Sequence, residues 1–570
     1  MNKKRIFRLV LAGLIAILAP SLALLAANAQ TPNAPFWHGT DYGYFHPQLP
    51  SGTCDPTILY DPTLPDDGLP CGPTMACAGP APSLQANFTA NRMYSLGINN
   101  NPDGIKGLRI NNTDKSWDAY TLLSCPVGCS HPSAPGRLFG VLLIDNNGDF
   151  VQGWENIKGF PAKLFPGGVV AGSDPDSPTI ESPALVRQDW CGKEVWRWDA
   201  RDYSWPGKNF YEFGTQFHHD YQLEGNPVGY YAPPVDGDTF LPKPNGNVLA
   251  LANHKPEEEY YYPKGWIPDG HPARDTSNIS NFPLVDDAFY IINNKGQITW
   301  QWFACDHFDQ MGFSGAAKYA IMNIRATGSQ AAGRSDWTHF NDVNWLGPNQ
   351  WHQRGDNRFN PSNIIFDSRA TNIIGIVANT DNPRPGGWKK GDIVWRVGPD
   401  YGPGTPWESL GYIIGPHHAH IIPKSLPGGG NILVFDNGGY AGWGKLRDDC
   451  EGVFQNVLSD YSRVIEFNPT TYEVVWEYKQ PNKTTDVNGN GETKGNERKF
   501  FSIMMSSAQR LVNGNTFICE SNTGRIFEVT KEGETVWEYI VEGASIFNSF
   551  AYRAYKVPKD WVPKNMTCSE

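Results

Sequence analysis

The stretch GETVWEY, residues 533–539, reads as a short strand that follows a glycine turn and carries a tryptophan near its end. Five other stretches share the strand and the tryptophan, four of them after a glycine: GDFVQGW at 148–154, GKEVWRW at 192–198, GQITWQW at 296–302, GDIVWRV at 391–397 and, after NPTT, YEVVWEY at 472–478. Self-similarity at a spacing of tens of residues is the signature of a repeat architecture. The sequence therefore predicts six copies of one unit.

Each copy closes a unit of several short strands. A strand that ends in Asn, Asp or Gly precedes it, as in GVLLIDNNG and DAFYIINNKG, and marks a hairpin. The helical period of α/β crossovers is absent from the sequence. Six units of about four strands predict an all-β fold, a six-bladed β-propeller over residues 136–570. Residues 30–135 lack the repeat, and we expect an irregular, disulfide-containing N-terminal extension there.

The first residues have the three-part form of a secretory signal peptide. Basic residues precede an apolar run, and Ala-Asn-Ala before Gln30 supplies a small-residue cleavage site. The alternative interpretation is an uncleaved membrane anchor. With cleavage after residue 29, the mature chain is expected to be periplasmic or extracellular and not bound to a membrane.

Charge and cysteine content restrict the partners and the compartment. The formal net charge of -12, without a block of Lys and Arg, argues against nucleic-acid binding. Ten cysteines in an exported chain indicate disulfides. Cys71 and Cys77, like Cys125 and Cys129, are close enough for local bridges, while the overall pairing stays open.

Three units place a histidine at the same position of an early strand: His218 in FHHDYQL, His339 in THFNDVN and His417 in PHHAHII. Equivalent positions on successive blades are related by the pseudo-rotation axis. The three imidazoles are therefore expected to meet around the central channel. Since adjacent strand residues point to opposite faces, a shift of one residue would exchange them for His219 and His418.

Such a group of histidines has two chemical uses. Three neutral imidazoles can ligate zinc or copper, or they can act as nucleophile, base and hydrogen-bond donor in group transfer. Arg369 follows the strand after the His339 segment and could point into the same channel. A cation there would favour transfer of an anionic group, because it opposes metal binding and stabilises charged oxygens.

The ordered set of motifs resembles the bacterial arylsulfate sulfotransferases. The shared stretches include DWTHFNDVNWL, GPHHAHIIP, SRVIEFNPTTYEVVWEY, SSAQRLVNGNTFICESNTGRIFEVTKEGETVWEY and AYRAYKVP, between residues 138 and 557. The resemblance implies ping-pong transfer of a sulfuryl group from a phenolic sulfate donor to a phenolic acceptor, without 3′-phosphoadenosine 5′-phosphosulfate or another cofactor. It implies His417 as the sulfated nucleophile, and His218, His339, Asn341 and Arg369 as sulfuryl-binding and acid–base residues.

The chain also departs from this family. Ala370 stands where the family often has histidine, and EGNPVGYYAPPVDGDTF, residues 224–240, is a long insertion after His218. The N-terminal region does not match the domain through which family members dimerise, so a homodimer is left open. Because fold does not decide function, a non-catalytic binding or assembly propeller and a histidine-ligated metal enzyme stay as alternatives.

A second motif lies between the fifth and sixth units. DVNGNGETKGNE, residues 486–497, has the D-x-N-x-N-G-x5-E spacing that wraps oxygen atoms around Ca²⁺. The candidate ligands are Asp486, Asn488, Asn490, Glu492 and Glu497. A solvated Asn-Gly loop fits the same residues. A calcium ion here would be structural.

Overall fold

The structure is a computed structural model of the chain. It describes residues 38–39, 44–46, 106–177, 181–200, 216–243, 245–254, 284–313, 335–383, 387–438, 443–447, 450–453, 458–459, 461–479, 500–502, 504–541, 551–564 and 568. The predicted signal peptide, most of the predicted N-terminal extension and the predicted calcium loop lie outside these residues.

Six antiparallel sheets of at least four strands form a six-bladed β-propeller, which confirms the predicted fold class. From the innermost strand outward, the blades are as follows: blade 1, Ala554–Val557, Tyr120–Cys129, Phe139–Ile144 and Phe150–Trp154; blade 2, Lys158–Phe165, Val169–Ser173, Ala184–Gln188 and Glu194–Asp199; blade 3, Gln216–Leu223, Val248–His254, Leu284–Ile292 and Ile298–Phe303; blade 4, Phe340–Trp345, Ile364–Ser368, Ile373–Val377 and Ile393–Val397; blade 5, His417–Ile421, Ile432–Asp436, Arg463–Phe467 and Val474–Tyr478; blade 6, Ser507–Arg510, Thr516–Glu520, Arg525–Val529 and Thr535–Ile540.

Other described elements lie at the edges of the blades. Gly107–Asn111 adds a fifth strand to blade 6, and Ser335–Asp336 pairs in parallel with the third strand of blade 3. The remaining strands are His38–Gly39, Tyr44–His46 and Leu458–Ser459 in one small sheet and the hairpin Trp443–Arg447 with Cys450–Val453. The helical turns among the described residues are Gln350–Gln353 and the 3₁₀ turns Ala304–Met311, Asn357–Phe359, Glu408–Leu410, Ser521–Thr523 and Lys559–Trp561.

The two ends of the described chain close the ring together. Ala554–Val557 pairs antiparallel with Tyr120–Cys129, with Ala554 opposite Leu123. The innermost strand of blade 1 thus comes from the C-terminus and its other strands from the N-terminal side. The predicted start of the propeller at residue 136 falls within this blade.

Two disulfides lie among the described residues. Cys125 and Cys129 form the local bridge that their spacing allows, and Cys191 in blade 2 is joined to Cys568 at the C-terminus. Cys71 and Cys77 lie outside the described residues.

The repeated tryptophan has a structural role that explains its recurrence. In each blade the indole Nε1 of a tryptophan on the fourth strand donates to a carbonyl in the next blade, and the sixth returns to the first. The pairs are Trp154 to Asp189, Trp198 to Gly296, Trp302 to Gly391, Trp395 to Pro469, Trp476 to Lys531 and Trp537 to Asn146. This cyclic set of bonds ties every blade to its neighbour at the rim.

The middle strands are buried on both faces. Every residue of Ile364–Ser368 and Ile432–Asp436 is buried, because neighbouring blades cover each sheet on both sides. At one such contact the aromatic rings of Phe289 in blade 3 and Phe340 in blade 4 are 5.7 Å apart. Packing between blades therefore holds the inner strands around the channel.

Candidate active site

The innermost strands of blades 3, 4 and 5 share an irregular start. His219, His339 and His418 have φ of 53°, 45° and 58°, in the left-handed region that residues other than glycine seldom adopt. The strand pairing also shifts register here, for example between Phe217 and Tyr221 in blade 3. Because a bulge re-aims side chains, simple alternation does not decide which of two adjacent histidines faces the channel.

His417 has a defined hydrogen-bonding role for each ring nitrogen. Its Nδ1 lies 2.7 Å from Asn437 Oδ1 and 3.0 Å from the Gly415 carbonyl. The Asn437 side-chain nitrogen donates to the carbonyls of Ser502 and Met505, so its oxygen is left to accept from His417 Nδ1–H. His417 Nε2 in turn accepts from the Met505 backbone N–H at 3.0 Å. The imidazole is therefore neutral, with its lone pair on Nε2.

Electrostatics keep this imidazole neutral. Burial and the nearby guanidinium of Arg369 hold the pKa of His417 well below its usual value, and His339 acts in the same direction. The hydrogen bonds to Gly415 and Asn437 oppose this effect but are outweighed. A neutral imidazole is the form in which histidine attacks an electrophile.

A second histidine of this group comes from blade 3. The ring of His219 lies 4.7 Å from that of His339, 4.9 Å from Phe160 and 5.8 Å from Tyr552. Burial lowers the pKa of His219 well below its usual value, and His339 is the strongest of the charged or polar neighbours that add to this effect. His417 and Arg369 also contribute, so the four groups lie within electrostatic range of one another.

The sequence analysis named His218 as the histidine of blade 3 that faces the channel. In the structure, His219 and not His218 is the residue whose ring contacts His339. His218 is buried instead between His219 and Asp287: its Nδ1 is 2.7 Å from His219 Nδ1, and its Nε2 is 3.3 Å from Asp287 Oδ1. The bulge at the start of the blade 3 strand accounts for the difference, since the sequence comparison assumed a regular strand.

Arg369 lies in the turn that ends the second strand of blade 4. Its backbone N–H donates to the His339 carbonyl at 3.0 Å, and Ala370 N–H donates to the Thr338 carbonyl. The turn is thereby attached to the start of the innermost strand in the same blade. Only 4% of Arg369 is exposed, and Ala370 is fully buried. The guanidinium is thus buried within electrostatic range of His219 and His417.

Asn341 supports His417 through the backbone. Its side-chain nitrogen donates to the carbonyl of Pro416, the residue before His417, at 3.0 Å. Its side-chain oxygen is buried without a hydrogen-bond partner among the described residues. The Asn341 carbonyl accepts from Arg553 at 2.6 Å. In this arrangement Asn341 connects blade 4, blade 5 and the C-terminal strand.

A buried ionic cluster, which was not predicted from the sequence, lies next to Asn341. Arg553 is 3.0 Å from both Asp220 and Asp342, and Lys163 is 2.7 Å from Asp220, all with no exposed side chain. Burial lowers the pKa of Lys163 to about 8 and raises that of Asp342 well above its usual value. Although burial opposes it, Lys163 and Arg553 lower the pKa of Asp220. The AYRAYKVP stretch that supplies Arg553 was visible in the sequence, but its strand partner was not.

The other two histidines of blade 5 belong to a deeper level of the channel. The rings of His418 and His420 are 4.6 Å apart. His418 Nδ1 contacts the Ala508 carbonyl at 2.9 Å, and His420 Nε2 contacts the Tyr230 hydroxyl at 2.8 Å. Neither ring contacts His417 or His219 in the described structure. The three histidines of PHHAHII therefore lie at two separate levels of the channel, His417 at one and His418 with His420 at the other.

Tyr230 belongs to the inserted segment 224–240, here called the plug. The Lys424 ammonium of blade 5 lies 2.5 Å from Asp238 of the plug. Gly229 packs so closely on Lys163 of blade 2 that an added Cβ would lie 2.6 Å from its Nζ. The plug thus leaves blade 3 and contacts blades 2 and 5 across the channel. It closes the end opposite His417, so the insertion noted after His218 does not border the histidine group.

Two further predictions concern metal ions and membranes. Within the described ranges, no group of three or more His, Cys, Asp or Glu residues is arranged to hold a metal ion. The five candidate calcium ligands, residues 486–497, lie outside those ranges. None of the helices in the part of the chain that the structure describes is long and apolar enough to cross a membrane.

Comparison with known proteins gives one informative match. Residues 281–542 match the family model described as arylsulfotransferase (ASST), a region that includes His339, Arg369 and His417. No curated protein sequence matches the chain.

Two solved structures from Bacteroides were also compared. A protein of unknown function from Bacteroides caccae is 11% identical, with 77% of this chain and 99% of that chain covered and a TM-score of 0.38. A putative 6-phosphogluconolactonase from Bacteroides fragilis NCTC 9343 is 11% identical, with 79% and 100% covered and a TM-score of 0.30. At these scores neither likeness supports an argument about fold or function.

Proposed function

We propose that the chain, whose residues 281–542 match the arylsulfotransferase family model, moves a sulfuryl group from a phenolic sulfate ester to a phenolic acceptor through a sulfated histidine. The observation that carries this proposal is the environment of His417. Its imidazole is buried, its Nδ1–H is held by Asn437 and Gly415, and its Nε2 has the lone pair. The Arg369 guanidinium lies nearby. No cofactor takes part in the proposed reaction.

In the first half-reaction, His417 Nε2 attacks the sulfur atom of the donor. A new N–S bond forms, the S–O bond to the phenol breaks, and its electron pair leaves on the phenolate oxygen. The Met505 N–H occupies this lone pair in the structure, so the donor must displace that contact. In the second half-reaction the acceptor oxygen attacks the sulfur atom and releases His417. Histidine thus divides a difficult transfer into two displacements.

Arg369 is proposed to stabilise the sulfuryl oxygens. A fixed guanidinium in a buried site acts more strongly than it would in water, because the low dielectric increases its interaction with charged oxygens. The same charge disfavours protonation of His417. One side chain thereby keeps the nucleophile neutral and attracts the anionic group that it attacks.

Proton transfer falls to the remaining imidazoles of the site. The rings of His219 and His339 are in contact. His339 also lowers the pKa of both His417 and His219, so it lies within electrostatic range of each. The departing phenolate needs a proton and the incoming phenol must lose one, which is work for a general acid and base. Asn341, with its amide on the Pro416 carbonyl, is assigned to positioning His417.

The proposal places this chemistry outside the cytoplasm. The basic and apolar residues of the first 29 positions motivate export, followed by removal of the signal peptide. The soluble mature chain would act on small phenols in the periplasm or outside the cell.

The test is incubation with 4-nitrophenyl sulfate, alone and with phenol as acceptor. We expect release of nitrophenol and, without acceptor, a sulfuryl adduct detected by mass spectrometry of the intact protein and mapped to His417. His417→Ala should form no adduct, while His307→Ala, which removes a histidine stacked on Trp302 in the outer part of blade 3, should behave as the unsubstituted protein. Absence of adduct and turnover across several aryl sulfate donors would favour a binding propeller. Activity that depends on bound zinc or copper and is lost to chelators would favour the metal enzyme.

A further inference from the structure

Two buried groups next to the site have no part in the function proposed above. His218 is 4% exposed and Asp287 is 2% exposed. His218 bridges Asp287 and His219, with Nε2 3.3 Å from Asp287 Oδ1 and Nδ1 2.7 Å from His219 Nδ1. An ion-pair contact and a hydrogen bond therefore connect a buried carboxyl group, through His218, to the imidazole that contacts His339.

Hydrogen-bond roles along this chain follow from the groups at its end. Asp287 Oδ2 accepts from Phe340 N–H at 2.9 Å and from the Thr338 hydroxyl, and Oδ1 faces His218 Nε2. The 3.3 Å contact is an ion-pair distance without hydrogen-bond geometry. Because a carboxylate can only accept, the relay assigns a proton to His218 Nε2. When His218 is neutral, its Nδ1 must accept from His219 Nδ1–H. The His219 Nε2 lone pair is then directed away from His218.

On the basis of the proposed sulfuryl transfer, we propose that Asp287, His218 and His219 form a proton relay in which His219 Nε2 exchanges the proton with the phenol oxygen. His219 would be the catalytic residue of this relay. His218 and Asp287 act through it and are positioning residues.

The proton count balances over the two half-reactions. Before the donor reacts, His218 carries protons on both nitrogens and faces the Asp287 carboxylate, while neutral His219 carries its proton on Nε2. As the S–O bond breaks, His219 Nε2–H passes to the phenolate oxygen and the His218 Nδ1 proton moves to His219 Nδ1. In the second half-reaction the acceptor phenol returns a proton to His219 Nε2, and the Nδ1 proton returns to His218. The relay stores one proton in place of exchanging it with solvent.

The surrounding charges favour this distribution. His219 faces Phe160, Tyr552, His339, His417 and Arg369, and the cationic or protonatable groups among them disfavour charge on its ring. Burial lowers the pKa of His219 well below its usual value. His218 instead faces a carboxylate, which stabilises an imidazolium. In the proposed relay the positive charge rests on His218, next to Asp287, while His219 remains neutral in both states.

The test depends on how much the leaving group needs a proton. 4-Nitrophenolate departs readily without one, whereas the phenolate of phenyl sulfate does not. For His218→Gln, and likewise for Asp287→Asn, we expect a loss of about 10²-fold or more in adduct formation from phenyl sulfate, the usual scale of general acid catalysis. The loss with 4-nitrophenyl sulfate should be much smaller. Asp286→Asn is the matched control, because this adjacent buried carboxyl group contacts Trp337 and Cys305 and not His218.

The outcomes separate the relay from the function on which it rests. If His218→Gln loses equal activity with both donors, the role of His218 is structural and the relay is wrong. If it retains full activity with phenyl sulfate, the relay is also wrong. If the unsubstituted protein forms no adduct with either donor, the proposed sulfuryl transfer itself fails. A donor-selective loss in His218→Gln and Asp287→Asn, absent from Asp286→Asn, supports the relay.

Discussion

Substitution of Asn437 by Ala tests the assignment of the His417 tautomer. Asn437 lies in the turn after the second strand of blade 5 and accepts from His417 Nδ1–H at 2.7 Å. As the N–S bond forms on Nε2, the imidazole gains positive charge and Nδ1–H becomes a stronger donor. The bond to Asn437 is therefore expected to strengthen in the transition state, which makes its loss appear in kcat more than in KM.

The magnitude follows from the two acceptors that share this proton. A hydrogen bond to a charged group contributes about 1.5–3 kcal/mol. Because the Gly415 carbonyl remains at 3.0 Å as a second acceptor, the lower end of that range applies. About 1.5 kcal/mol corresponds to a roughly tenfold slower formation of the adduct. The substitution also removes the donor that Asn437 offers to the Met505 carbonyl.

The assay is single-turnover nitrophenol release from 4-nitrophenyl sulfate. Ser462→Ala is the control, because Ser462 donates to the carbonyls of Asn437 and Ser502 without contacting His417. A slower adduct in Asn437→Ala but not in Ser462→Ala supports the assigned tautomer. Equal rates for the unsubstituted protein and Asn437→Ala, or equal losses in both variants, would refute it.

Two further predictions concern the pH profile and the plug. Since His417 must be neutral to attack and its pKa is lowered by burial and Arg369, adduct formation from 4-nitrophenyl sulfate should persist below the usual histidine value of about 6.5 and fall only at more acidic pH; an acid limb centred at or above that value contradicts the assignment. Tyr230→Phe leaves buried His420 Nε2 without its 2.8 Å partner, so thermal unfolding should show a loss of about 1–3 kcal/mol in stability with KM unchanged. Tyr231→Phe, at a partly exposed neighbour, should leave both stability and KM unchanged. A changed KM with intact stability in Tyr230→Phe would contradict the placement of the plug at the end of the channel opposite His417.

The blade count could be predicted from sequence because it depends on local, repeated chemistry. The fourth strand of each blade has a tryptophan whose indole donates to the next blade, so the residue recurs in all six units. In GKEVWRW and GQITWQW the sequence offers two tryptophans, and the structure uses Trp198 and Trp302. The innermost strand of blade 1 could not be predicted in the same way. Ala554–Val557 and Tyr120–Cys129 are far apart in sequence, and nothing local to either stretch indicates their pairing.

The site was predictable by residue type and less so by register. The sequence placed His339, His417 and Arg369 together, and the structure encloses them at one level of the channel. The prediction named His218 and not His219 because it assumed a regular strand. In the structure, the positive φ of His219 and the adjacent bulge rotate the backbone. Such a bulge adds a residue without a marker in the sequence. Asn437 and Arg553 were missed for different reasons. Asn437 contacts His417 from the turn after the neighbouring strand of the same blade, far along the sequence, whereas Arg553, next to the innermost strand of blade 1, contacts Asn341 of blade 4.

The closed end of the channel bears on why a covalent intermediate suits this molecule. Beyond His420 the plug fills the axis and is attached to blades 2 and 5. Donor and acceptor must then approach His417 from the same side, and the phenol product of the donor occupies the space that the acceptor needs. Transfer in a ternary complex would require room for two aromatic rings on opposite sides of one sulfur atom. The buried ionic cluster of Arg553, Asp220 and Asp342 lies next to Asn341 and limits that room. The proposed storage of the sulfuryl group on His417 would remove this conflict, because the two phenols would use the same position one after the other.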